Sequence, residues 1–197
     1  MKILETIQIK DGAVQQIDLH EARLNDARQK LFGDIAPIQL SDYLLIPAEF
    51  QQGIVRCRVI YEQEIEEIGF VPYVFKQIKT LKVVEAKPID YAIKWLDRTD
   101  FGELLANNTT FDELIIGQNG YVSDATIANL AFWDGTHWFT PDTPLLKGTR
   151  RRALLESGKI TQRAIRLEEI RSYKKVCLIN TFRDLLIENA IDISQVF

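Results

Sequence analysis

Apolar and polar positions along the chain switch between a period of two and a helical period. In IVRCRVI, Val55, Cys57 and Val59 fall on one side and Arg56 and Arg58 on the other, which predicts a strand with one buried face. The longer run IVRCRVIYEQEIEEIGFVPYVF predicts two strands. Asp11-Gly12 parts the apolar stretch 3–9 from 13–17, Asn119-Gly120 parts 114–116 from 121–122, and Asp134-Gly135 parts 130–133 from 138–139. Each dipeptide supplies the positive φ that a tight hairpin turn requires. DLHEARLNDARQKLFG predicts a helix. Asp18 is its cap, Glu21 completes a capping box, Leu24, Ala27 and Leu31 form its apolar stripe, and Gly33 ends it.

Further along, a short helix is expected around Ser41 to Gln51, a strand from Leu81 to Glu85, and a helix TRRRALLESG ended by Gly158. The chain then closes with a strand KVCLIN and a helix TFRDLLIENA. Hairpins joined to a few helices predict an α+β fold rather than alternating βαβ units. The segment KQIKTLKVVEAKPID lies between two halves. It divides the chain near residue 80 into a small N-terminal α+β domain, 1–80, and a hairpin-rich C-terminal domain, 81–197.

Composition narrows the class. With 197 residues, 46% hydrophobic and 26% charged, the chain can bury a sizeable core and is too apolar to be disordered. A net charge of -4 offers no positive surplus for nucleic-acid phosphates or an anionic membrane, so neither is an expected partner. Cys57 and Cys177 sit in apolar runs and read as reduced core thiols, and with two histidines they give no metal constellation. No apolar stretch is long enough for a membrane span or a signal peptide, so a cytoplasmic protein is expected.

GxGxxG, Walker, HExxH and GxSxG motifs are all missing. What remains is a set of single residues, each with an ordinary structural reading. Lys94 alone reads as a surface lysine, Asp124 as a hairpin-end carboxylate, and Arg23 as an exposed helix arginine. KGTRR reads as the start of a helix, and Thr181 as the cap of the helix after it. His137 reads as an edge-strand residue. Phe132, Trp133, Trp138 and Phe139 read as core aromatics, and Lys147 with Arg150 to Arg152 as a solvated basic face.

The order of several segments changes that weighting. ETI at Glu5, DG at Asp11, HEARL at His20 to Leu24 and KWLDR at Lys94 to Arg98 come first. DELII, NGYVSDATIANLAF, TP at Thr140 and LLKGTRR at Leu145 to Arg151 follow. This series resembles the class IV aminotransferase family of pyridoxal-phosphate enzymes, which includes branched-chain and D-amino-acid aminotransferases and aminodeoxychorismate lyase. The resemblance implies the family's two-domain fold and a pyridoxal 5'-phosphate cofactor.

It further implies that Lys94 forms the Schiff base and moves protons, because an amine attacks an aldehyde and a partly desolvated lysine is a better base. Asp124 stands where the family usually has glutamate, five residues before Asn129, and would pair with the pyridine nitrogen. Arg23 matches the phosphate-binding arginine, whose planar fork suits a phosphate. Gly148 and Thr149 match a loop and helix start that bind the phosphate through backbone amides and a hydroxyl. Thr181 resembles a second phosphate-side hydroxyl.

Family members normally begin with a longer leading segment, which predicts an open site or one completed by a partner subunit in a homodimer. Thr99 stands where branched-chain enzymes carry tyrosine five residues after the lysine, and KWLDR is closer to the spacing of aminodeoxychorismate lyase. The leading expectation is therefore a lyase that takes a small amine substrate and eliminates pyruvate to leave 4-aminobenzoate. Transamination of an amino acid is the alternative, and a non-catalytic relic of the family the third reading.

Overall fold

The computed structural model describes all 197 residues, Met1–Phe197. Contacts group them into two units, one of Met1–Phe75 with Ile93–Asp97 and one of Lys76–Ala92 with Arg98–Phe197. No helix is long and apolar enough to cross a membrane.

In the first unit, strands β1 (Ile3–Lys10), β2 (Ala13–Val14), β3 (Ile54–Tyr61) and β4 (Ile65–Pro72) form an antiparallel sheet in the order β2-β1-β3-β4. The turn at Asp11-Gly12 has φ 48 and 78, as expected of that dipeptide. Ile3, Ile7, Ile9, Val55, Cys57 and Val59 share the buried face with Leu24 of helix α1 (Ile17–Phe32). Arg56 and Arg58 point away from that face, as the alternation predicts.

Three local expectations fail in this unit. Helix α1 starts after Gln16, at φ 52, with no side-chain cap, and Glu21 instead accepts a hydrogen bond from the Leu40 amide at 2.7 Å. The capping box therefore does not form; its glutamate secures the chain that returns after the helix. Leu31 is exposed, and the buried face of α1 is His20, Leu24, Ala27 and Arg28. The helix expected at Ser41 to Gln51 is two single 3-10 turns, Leu40–Asp42 and Ala48–Phe50. Pro47 lies between them and removes an amide a helix would need.

The second unit contains two sheets. Strands β5 (Leu81–Glu85), β6 (Glu113–Gln118) and β7 (Tyr121–Ala125) pair in that order, β5 parallel to β6 and β7 antiparallel. Helix α2 (Thr99–Ala106) intervenes between β5 and β6 in sequence. The other sheet runs β10-β9-β8-β11-β12, from β8 (Asn129–Trp133), β9 (Trp138–Pro141), β10 (Thr161–Arg163), β11 (Lys175–Ile179) and β12 (Ile191–Asp192), with helix α3 (Thr149–Glu156) between β9 and β10. Period-two alternation lets β8 and β11 serve two cores at once. Ala131, Cys177 and Ile179 pack with Leu154 of α3, while Leu130, Phe132, Val176 and Leu178 join Leu81, Ile115 and Val122.

Here the segment TFRDLLIENA is not a helix. Asn180 and Arg183 exchange backbone hydrogen bonds in a tight turn, and only Ile187–Asn189 forms a 3-10 turn. The capping reading of Thr181 goes with that helix. Arg151 is buried rather than part of a solvated basic face: its Nη2 donates to the Pro141 carbonyl at 2.8 Å. Phe132 is buried and its three aromatic neighbours are half-buried, while His137 is exposed.

The expected boundary near residue 80 compares with an observed one at Phe75 and Lys76, but Lys94 groups with the first unit. The reason is backbone pairing. The Leu4 amide donates to the Lys94 carbonyl at 2.9 Å and the Leu96 amide to the Lys2 carbonyl at 2.9 Å, and Ile93 and Trp95 pack on the first core.

Candidate active site

Of the residues expected to carry chemistry, Lys94 and Arg23 lie in the first unit, and Asp124, Asn129, Gly148, Thr149 and Thr181 in the second.

In the first unit, Lys94 is half-buried, and its backbone is held against the start of β1 as described above. The next residue of that strand, Glu5, faces inward among Ile3, Ile7 and Ile9 and is wholly inaccessible to solvent. Arg23, one turn along α1 from His20, clamps its carboxylate with Nε donating to Oε1 at 2.8 Å and Nη2 to Oε2 at 2.6 Å. His20 Nδ1 meets Oε2 at 2.7 Å. Burial pushes the Glu5 carboxyl up, but the Arg23 charge and the hydrogen bonds from His20 and Arg23 outweigh it and bring the pKa down to about 2. Burial lowers the His20 pKa despite Glu5, so the ring is neutral and gives Nδ1–H to the carboxylate. Sequence reasoning passed over Glu5 and His20 as site residues. A usable signal was present: an acidic residue among the apolar positions of a period-two strand needs a buried partner.

In the second unit, Asp124 ends the inward side of β7 and Asn129 opens β8. The turn between them closes with the Ala125 amide on the Ala128 carbonyl at 2.9 Å, which is why residues five apart meet. Asn129 Nδ2 donates to Asp124 Oδ1 at 2.6 Å and to the Leu146 carbonyl at 2.7 Å, while the Leu146 amide donates to Asp124 Oδ2 at 3.0 Å. The carboxyl is thus ordered at both oxygens and nearly closed to water. Burial raises its pKa, against the hydrogen bonds from Leu146 and Asn129, to about 7. Glu113 steadies the turn by accepting from the Thr126 amide at 3.2 Å and its hydroxyl at 2.7 Å, and Arg98 donates to the Thr126 carbonyl. Neither residue was expected in this role; for Glu113, a charged side chain opening an apolar strand was the available hint.

Gly148 precedes α3, and a β-carbon there would lie 2.1 Å from Asn129 Oδ1. The helix start and the Asp124 pair are therefore in direct contact through Asn129. Thr149 is buried at the first turn of α3. Thr181, just after β11, is also buried, and its Oγ1 has no hydrogen-bond partner. A buried hydroxyl without a partner costs stability unless something else accepts from it.

A buried carboxyl suits a pyridine nitrogen. The unpartnered Thr181 hydroxyl and the N-terminus of α3 suit a phosphate. These residues fit pyridoxal phosphate.

Comparison with known proteins agrees with the fold. The family model described as "Amino-transferase class IV" matches residues 77–188. An uncharacterized protein of Haemophilus influenzae is 36% identical over 185 residues, 93% of this chain and 98% of that one. The chain belongs to the class IV aminotransferase family. A crystal structure from Haemophilus somnus 129PT, provisionally assigned as a 4-amino-4-deoxychorismate lyase, is 34% identical with a TM-score of 0.86 and is covered over 97% of its length by 93% of this chain. A hypothetical aminotransferase from Mycobacterium tuberculosis in its PLP-bound form shares the fold, with a TM-score of 0.78 at 18% identity over 99% of this chain and 81% of that one.

Proposed function

We propose that the protein is a pyridoxal-phosphate enzyme with 4-amino-4-deoxychorismate lyase activity, converting aminodeoxychorismate to 4-aminobenzoate and pyruvate. The observation that carries the lyase over a transaminase is the 34% identity, along nearly the whole chain, to the H. somnus protein provisionally assigned that activity. Position 99 supports it: a threonine begins α2 there, where the branched-chain enzymes that the sequence resembles carry tyrosine.

When bound, pyridoxal phosphate supplies an aldehyde that condenses with amines and a ring that draws electrons from the carbon beside the nitrogen. In this reading Lys94 Nζ is the amine that would hold the cofactor, and as a free amine it would be the base that moves protons. Asp124 would pair with the ring nitrogen and favour its protonated form, and Asn129 and the Leu146 amide hold the carboxyl in place for that role. As the resemblance implies, Arg23 in the first unit, and Thr149, Thr181 and the start of α3 in the second, are the groups that would bind the phosphate. The protein acts in the cytoplasm, in keeping with the buried, unpaired Cys57 and Cys177, and as a homodimer, as the family resemblance implies.

The test is product analysis of the cofactor-loaded protein with aminodeoxychorismate. Equal amounts of 4-aminobenzoate and pyruvate, absent with Lys94→Ala, are expected. Conversion of an amino acid to its oxo acid without 4-aminobenzoate would make the protein a transaminase instead, and no turnover of either kind would leave the non-catalytic reading.

A further inference from the structure

Glu5 has no part in the chemistry proposed above, yet it is the most constrained carboxylate of the first unit. Both its oxygens accept from Arg23, at 2.8 and 2.6 Å, and the second also takes His20 Nδ1 at 2.7 Å. It stands on the buried face of β1 beside Leu4, whose amide holds the Lys94 carbonyl. One strand is therefore in contact with both residues assigned to the cofactor in this unit, Lys94 through its backbone and Arg23 through a side chain.

We propose that Glu5 is a positioning residue that fixes the plane and rotation of the Arg23 guanidinium, so that Arg23 meets the cofactor phosphate in register with Lys94. The inference rests on the reading of Arg23 as a phosphate ligand. An arginine has many rotamers, and a ligand that must freeze them binds less tightly. A two-point clamp on Nε and Nη2 removes that freedom before the phosphate arrives. His20 completes the arrangement by occupying a further lone pair of the carboxylate with a neutral donor, so no second cation competes for it. Charge alone predicts the reverse sign: Glu5 partly cancels the Arg23 charge, so removing it should tighten phosphate binding. Positioning and electrostatics therefore make opposite predictions.

The experiment titrates the full chain with pyridoxal 5'-phosphate and, separately, with pyridoxal, which lacks the phosphate. Binding is read as the fraction of protein carrying the ligand on Lys94 after borohydride reduction, by mass. Wild type is compared with Glu5→Gln, Arg23→Gln, the double variant, and Arg23→Lys, which keeps the charge but cannot span both carboxylate oxygens. Glu5→Gln and Arg23→Lys are each expected to raise the half-saturating concentration of pyridoxal 5'-phosphate about tenfold. Pyridoxal should be unaffected, and the double variant should match Arg23→Gln. Phosphate-form binding by Glu5→Gln as tight as wild type or tighter, or equal loss for the two ligands, overturns the positioning role. Wild type that fixes neither ligand on Lys94 overturns the cofactor reading, and the inference with it.

Discussion

A β-carbon on Gly148 would sit 2.1 Å from Oδ1 of Asn129. The backbone of Gly148, at φ -66 and ψ 148, is open to any residue, so side-chain crowding alone demands glycine there. Asn129 cannot swing aside cheaply, because its Nδ2 is held by Asp124 and by the Leu146 carbonyl. Gly148→Ala is therefore expected to cost about 1–3 kcal/mol of stability by overpacking, read by urea unfolding. In an Asn129→Ala background the same change should cost far less. Additive costs would show that the two residues are not in contact.

Thr181 gives the opposite expectation. Its buried Oγ1 lacks a partner, so Thr181→Val removes an unsatisfied hydroxyl at nearly constant shape and should raise the melting temperature of the cofactor-free protein. The same variant should gain less stability than wild type when pyridoxal phosphate is added. A lower melting temperature without cofactor would mean that the hydroxyl already has a structural partner.

The contrast between these residues shows what the sequence could reveal. Local backbone chemistry was legible: Asp11-Gly12 and Asn119-Gly120 turn at positive φ, and Gly33 ends α1 at φ 79. Side-chain partners were not. Glu21 has capping-box spacing, but the Leu40 amide, distant in sequence, takes its carboxylate. TFRDLLIENA has helical composition, but the Asn180–Arg183 turn ends the strand too sharply for a helix to follow. Lys94 was found by motif, while its attachment to β1 pairs residues about ninety apart and left no mark on either segment. Glu5 was visible only as an acid in an apolar pattern.

The Glu5 clamp should appear as acid sensitivity. Its folded pKa of about 2 lies below the ordinary carboxylate value of 4.5, so its contribution is fully present above about 4.5 and is lost as pH falls through about 2. Glu5→Gln, which removes the charge and replaces one accepting oxygen with a donor facing Arg23 and His20, should be less stable than wild type by about 3 kcal/mol at pH 6. The gap should narrow steadily below pH 4.5 in unfolding titrations. A gap independent of pH would show that Glu5 is not ionised in the folded protein.

Asp124 carries the reverse sign. Its folded pKa of about 7 exceeds the ordinary 3.8, so the folded protein holds the proton more tightly. That stabilisation is complete below about 4 and is lost as pH rises to about 7. Asp124→Asn cannot titrate, so in the cofactor-free protein its stability relative to wild type should improve between pH 4 and pH 7. A constant difference across that range would mean that the buried carboxyl keeps an ordinary pKa.

Whether Lys94 holds pyridoxal phosphate is tested most directly by borohydride reduction of the cofactor-loaded protein followed by peptide mass analysis. Wild type should show a visible absorption band that borohydride abolishes, with the added mass on the peptide containing Lys94, and Lys94→Ala should show neither. A wild-type protein without the band and without added mass, or with the mass on another lysine, would contradict it.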